Sequence, residues 1–230
     1  MDGSVLTSLE NGRLELMNYR IQQFHPARLL TSICFLILAG PASALDGKAL
    51  FLSCAACHGT RGEGNTKIGA PNLAGMAPWY VTRQLANFAV GKRGADNGDR
   101  YGNQMREAVK VLTSDDQRNA VADHVAKLTP QPARSAEKIS AADMANGRSQ
   151  FNAICSSCHG SGGRGNPTLG APSLIGLDTA YAERQLVAFR DGSRGKHPDD
   201  KWGAQMRVGA SMLPNAKSIR DVAAYLTTLK

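Results

Sequence analysis

No lysine- or arginine-rich block occurs in this 230-residue sequence, although its formal charge is +8. Arms that bind nucleic acid carry such blocks, so no nucleic-acid partner is expected. A dispersed positive charge suits steering toward an acidic partner or an anionic membrane face instead. Long apolar runs are missing as well. The run from Leu29 to Ala39 falls short of the roughly 20 residues a membrane helix needs, which disfavours a retained anchor. It follows Arg20, His25 and Arg28 and precedes Ala42-Ser43-Ala44, the small-x-small pattern of a signal-peptidase site. Residues 1–44 therefore read as a cleavable export signal, with Leu45 as the mature start. The residues before Met17 fit the signal poorly, so Met17 is an alternative initiator.

Cysteine is scarce, and so is any strand pattern. Of five cysteines, Cys34 falls in the signal; Cys54, Cys57, Cys155 and Cys158 remain and no thiol is left over. What is abundant is repetition. The stretch "CAACHG" at Cys54 returns as "CSSCHG" at Cys155, a shift of 101 residues. Without a gap the same shift brings "GAPNL" (Gly69) onto "GAPSL" (Gly170), Tyr80 onto Tyr181 and Phe88 onto Phe189, and it superposes "RQL" at Arg83 and Arg184 and "QMR" at Gln104 and Gln205. A fixed period means a duplicated unit. Two domains are expected, 45–128 and 141–230, joined by a linker at 129–140 that contains Pro130 and Pro132. Upstream of the cysteines the register slips: Phe51 lies three residues before Cys54, and Phe151 four before Cys155.

The expected class is all-α. Helices are predicted over Gly47–Cys57 and Ala141–Ser157, the second opened by a Ser140/Asp143 capping box, and over Trp79–Val90 and Ala180–Arg190. The last helix of each unit shows apolar spacing of 3, 4 and 3 at Ile219, Val222, Leu226 and Leu229, with Val121, Val125 and Leu128 as counterparts. Ser114 and Gln117 are read as the cap of the first copy. Glycine-rich loops, "GTRGEGNTKIG" and "GSGGRGNPTLG", follow the cysteines, and "YGNQMREAV" around Met105 reads as a polar loop. Such short helices enclose little core unless something large and apolar sits among them.

Cys-x-x-Cys-His has three readings. A zinc site wants a second ligand pair nearby, and the next pair is about a hundred residues away. A thioredoxin-like pair belongs in an α/β pattern that is missing here. The third is haem c, two thioethers to the vinyl groups with the adjacent histidine on the iron. Two copies behind an export signal, using every mature cysteine, favour that reading, and a porphyrin would supply the missing core. Among the methionines Met76, Met105, Met144, Met206 and Met212, only Met105 and Met206 pair under the 101-residue shift. They are candidate sixth ligands, with a core-filling role as the alternative. Histidine-methionine ligation saturates the iron and suits electron transfer.

The paired motifs, the "APNL" and "APSL" loops, the Tyr-x3-Gln-Leu-x2-Phe-x2-Gly segment, and Leu112 and Leu213 seven residues after each methionine together resemble the dihaem cytochrome c4 family. The resemblance runs from about Gly47 to Lys230. It implies two tandem class I cytochrome c domains, each a few short helices wrapped around a covalent haem, packed about a pseudo-twofold axis. It further implies a periplasmic electron carrier associated with the membrane, taking electrons from a redox protein donor and feeding a terminal oxidase. Carried over by motif, Cys54, Cys57, His58 and Met105 hold the first haem, and Cys155, Cys158, His159 and Met206 the second. Pro71 and Pro172 match the position whose carbonyl orients the histidine. Two rivals are a cytochrome subunit of a periplasmic dehydrogenase, such as flavocytochrome c sulfide dehydrogenase, and a dihaem peroxidase or thiosulfate-oxidising cytochrome with an open iron. His124 and His197 are expected to be a partly exposed helix histidine and a solvated loop residue.

Overall fold

A computed structural model of the chain describes residues 45–134 and 140–230, which belong to one compact unit. The expected export signal and the linker residues 135–139 lie outside the described residues. Four helices form the first repeat: α1 (Gly47–His58), α2 (Pro78–Ala89), α3 (Arg100–Ala108) and α4 (Asp115–Lys127). The second comprises α5 (Ala141–Gln150), α6 (Ser156–His159), α7 (Thr179–Asp191), α8 (Lys201–Ser211) and α9 (Ala216–Leu226). Among the described residues there is no strand, only isolated bridges between Asn65 and Ala70 and between Asn166 and Ala171.

Local chemistry explains the boundaries. Ser114 Oγ accepts from the Gln117 amide, while the Gln117 side chain reaches back to the Thr113 amide. Ser140 Oγ accepts from the Asp143 amide in the same way. These caps satisfy amides that the first turn leaves unpaired. Asp99 and Asp200 cap α3 and α8 through the amides of Gly102 and Gly203, at 2.8 and 2.9 Å. The segment expected to be a polar loop around Met105 is thus a helix. Tyr101, Met105 and Val109 are spaced as one helical stripe, Val109 belongs to the first-domain core cluster, and Met105 is packed against that cluster.

The first and last helices of each repeat cross at a glycine. A β-carbon on Gly47 would lie 2.0 Å from the Ala120 carbonyl oxygen, and one on Gly147 2.0 Å from that of Asp221. Next to each crossing one aromatic pair closes the contact: Phe51 with His124 at 5.2 Å between ring centroids, and Phe151 with Tyr225 at 5.4 Å. His124 is therefore part of the packing. The one-residue register slip has a physical site. Between Gly147 and the cysteines the chain widens into a π-helical turn, Phe151–Cys155, which joins α5 to α6. The turn absorbs the additional residue, so both crossings and both cysteine motifs keep equivalent places.

The two cores differ. The first is one cluster from α1, α2 and α4 with Val109 and Leu112. The second is divided in two, Phe151, Ala182, Ala223 and Leu226 on one side and Leu213, Ile219 and Val222 on the other. A cavity separates the halves and takes Phe151, Leu226, Leu213 and Val222 into its wall.

Candidate haem-binding sites

Each site starts from a histidine at the end of a helix. His58 and His159 are both 4% exposed, and their Nδ1 atoms lie 2.9 and 2.8 Å from the carbonyl oxygens of Pro71 and Pro172. A carbonyl only accepts, so Nδ1 carries the proton and Nε2 keeps its lone pair. The glycine-rich loops deliver those carbonyls. The Gly64 amide donates to the His58 carbonyl at 2.7 Å, and the Gly165 amide to that of His159 at 2.8 Å. Gly64 has φ +75°, and a β-carbon there would stand 2.5 Å from the Asn72 amide nitrogen; Gly165 has φ +84° and meets Ser173 nitrogen at 2.6 Å. Only glycine permits both the backbone angle and the approach. Burial lowers the pKa of both histidines, against the opposing pull of the proline carbonyls. The rings are therefore neutral imidazoles, the form that binds a metal.

Among the described residues the four cysteines, Cys54, Cys57, Cys155 and Cys158, form no disulfide. Burial raises Cys54 and pushes Cys155 up to about 11, the reverse of the lowered pKa that marks a reactive thioredoxin-like pair. No group of three His, Cys, Asp or Glu side chains converges among the described residues, so these thiols do not assemble a zinc tetrahedron. In the second domain the cavity brings together Cys155, Cys158, His159 and Met206. Gly209 on α8 also lines it, and a β-carbon there would meet nothing within 4 Å. A split core, an apolar cavity between its halves, two unpaired thiols and a neutral imidazole fit a covalently attached porphyrin.

The Cytochrome c family model matches residues 44–129 and again 144–230. Cytochrome c4 of Stutzerimonas stutzeri is 32% identical over 202 residues, covering 83% of this chain and 90% of the relative. The chain belongs to the dihaem cytochrome c4 family. A second member of this kinship, a thiosulfate dehydrogenase electron acceptor from Thiomonas intermedia (strain K12), is 32% identical over 188 residues, 77% of this chain and 82% of its own. The crystal structure of reduced recombinant cytochrome c4 from Pseudomonas stutzeri superposes with a TM-score of 0.66 at 26% identity, over 81% of this chain and 98% of that one. As in the dihaem cytochrome c4 family, the two Cys-x-x-Cys-His motifs fit two covalent haem c groups, one per domain, and the chain is an electron carrier.

Within that frame the structure places the candidate residues unevenly. His159, both second-domain thiols and Met206 share one cavity. In the first domain Cys54 and Met105 border the same apolar cluster, and His58 is held by Pro71. His197 lies in the loop before α8, where its Nδ1 accepts from the Asp199 amide at 3.2 Å. The sequence reading assigned no role to Arg83, Arg93, Arg184 and Arg194, which meet at the domain boundary. The signal was present, since Arg83 matches Arg184 and Arg93 matches Arg194 under the same 101-residue shift.

Proposed function

We propose that the chain is a periplasmic dihaem carrier in which His58 with Met105, and His159 with Met206, complete the two irons. The observation that carries this reading is the second-domain cavity, where a neutral buried histidine, two thiols and the methionine retained by the duplication line one space. Bound haem iron supplies one-electron ferric-ferrous chemistry. The chain's part is to anchor the porphyrin through Cys54, Cys57, Cys155 and Cys158. Pro71 and Pro172 fix the two imidazoles, and the cavity walls exclude water. Thioether ligation by Met105 and Met206 beside the histidines would raise the potential relative to two histidines and would close the iron to exogenous ligands.

The donor is a redox protein. The Thiomonas relative, an electron acceptor of thiosulfate dehydrogenase, supports a periplasmic dehydrogenase in that role. The acceptor is a membrane terminal oxidase, and export followed by peripheral association with the inner membrane places the carrier beside it. A stable subunit of the dehydrogenase is the second reading, and it would co-purify with that enzyme. The test of the carrier reading is an optical redox titration with ligand probes. Two covalent haems, a sulfur-to-ferric-iron band, and no fast cyanide or carbon monoxide binding are expected. A high-spin haem with prompt ligand binding would falsify it.

A further inference from the structure

The boundary between the domains holds four guanidinium groups and, among the described residues, no carboxylate within ion-pair distance of any of them. Arg93 and Arg194 are 8% and 7% exposed. Their partners are neutral and reciprocal. Arg93 donates to Gln84 at 2.7 Å and Gln185 at 2.9 Å, and Arg194 to Gln185 and, at 3.0 Å, to Gln84. Arg83 donates to the Gly170 carbonyl at 2.7 Å and Arg184 to the Gly69 carbonyl at 2.8 Å, each reaching into the other domain. Their remaining company is aromatic: Arg83 lies over Trp202 and Arg184 over Tyr101. The Nε atoms of Arg83, Arg93 and Arg184 are buried with no partner.

Neutral acceptors satisfy hydrogen bonds but leave the charge uncompensated, and a buried unpaired charge is strongly unfavourable. The carboxylate acting on Arg83 and Arg194 through space is Asp200, which is already held as the cap of α8. One negative charge does not balance this group. The counter-charge has a defined place to come from, because Arg83, Arg194 and Asp200 line the same cavity as His159 and Met206. Arg83 belongs to α2 of the first domain, yet it walls the second domain's site.

Resting on the haem reading above, we propose that Arg83 and Arg194 take the carboxylate side chains of the porphyrin seated in the second domain, so that a first-domain arginine sets the second site's reduction potential. By the reciprocal contacts, Arg184 serves the first site. A positive charge beside a haem favours the ferrous form, so its removal lowers the potential.

The test uses the holoprotein with Arg83→Gln and Arg83→Lys, titrated while the axial methionine methyl resonances are followed by NMR. Met105→Ala and Met206→Ala assign those resonances to the two domains. Arg83→Gln is expected to shift the second-domain haem about tenfold toward the ferric form, about 59 mV for one electron, with less than half that shift in the first domain. Arg83→Lys, which keeps the charge, should restore most of it. No shift, a shift confined to the first domain, or lysine behaving as glutamine would overturn the proposal. So would a wild-type potential that varies with chloride at fixed ionic strength, which would assign the arginines to a free anion. If Arg83→Gln does not fold, Arg184→Gln gives the mirror experiment, with the larger shift expected in the first domain. Absence of methionine resonances in the unsubstituted protein would instead defeat the axial assignment, a separate failure visible before any substitution.

Discussion

A single hydrogen bond decides what each histidine can do. With Nδ1 tied to a proline carbonyl, His58 and His159 present one lone pair each, in a fixed direction and uncharged. No comparable device holds the methionines, whose sulfur accepts only weakly and whose position comes from the helix that carries it. Met206→Ala is therefore expected to leave the fold and the covalent haem in place. It should remove half of the sulfur-to-iron band and open one iron to carbon monoxide; Met105→Ala should do the same in the other domain. A band unchanged in Met105→Ala would return that residue to the core-filling role that its packing against the first-domain cluster also permits. The cysteine pairs are legible in the sequence, with a histidine beside each, because their spacing is dictated by covalent chemistry. The methionine pair stands out as a candidate only when the repeats are superposed. Its setting reads as a loop because nine mostly polar residues carry too few apolar positions for a periodic signal, although Tyr101, Met105 and Val109 are spaced as a stripe along the helix and its C-cap.

Among the elements, the π-helical turn Phe151–Cys155 shows how a duplicated helix tolerates an added residue. A full residue inserted into a regular α-helix would rotate everything beyond it by about 100°, carrying the cysteines off their face. The wider turn confines the change to five residues. The sequence announced the slip through Phe51 and Phe151 but not its resolution, because a π turn has no side-chain signature of its own. What both copies protect is the glycine crossing. Gly147→Ala would drive a methyl group into the Asp221 carbonyl, which cannot rotate away. A destabilisation of about 1–3 kcal/mol is expected, read as a lower denaturant midpoint for loss of the second haem's visible spectrum. Gly47→Ala should do the same in the first domain. A midpoint unmoved in both would mean that the helices do not approach as closely as the geometry requires.

For the whole molecule, the repeat implies two units, and the family model matches twice, but the pattern says little about how they meet, since the contacts join residues about ninety to more than a hundred positions apart. Reciprocity is the rule there: Arg83 and Arg184 exchange carbonyls, and Arg93 and Arg194 exchange glutamines. The linker breaks that symmetry. Asn72 donates to the carbonyls of Gln131 and Gly176, while its counterpart in the second copy is Ser173. Arg134 clasps Asp178 through its own amide at 2.7 Å and through Nη2 at 2.7 Å, and reaches the Glu63 carbonyl of the first domain at 2.7 Å. Asp178 is 2% exposed, and Arg134 is the cation that pairs with its carboxylate. A fully buried pair that loses one member is destabilised by about 3–5 kcal/mol. The Arg134 side chain is 42% exposed, and solvent screening reduces the expected effect of Arg134→Ala to about 1–3 kcal/mol. The Thr179 amide, which donates to the Arg134 carbonyl at 3.1 Å, reports the clasp directly. Its hydrogen-exchange protection should fall in Arg134→Ala while the amides of α4 keep theirs. If Thr179 stays protected and the denaturation midpoint is unchanged, the clasp does not hold the linker, and the reciprocal arginine contacts with the Asn72–Gly176 hydrogen bond set how the domains meet.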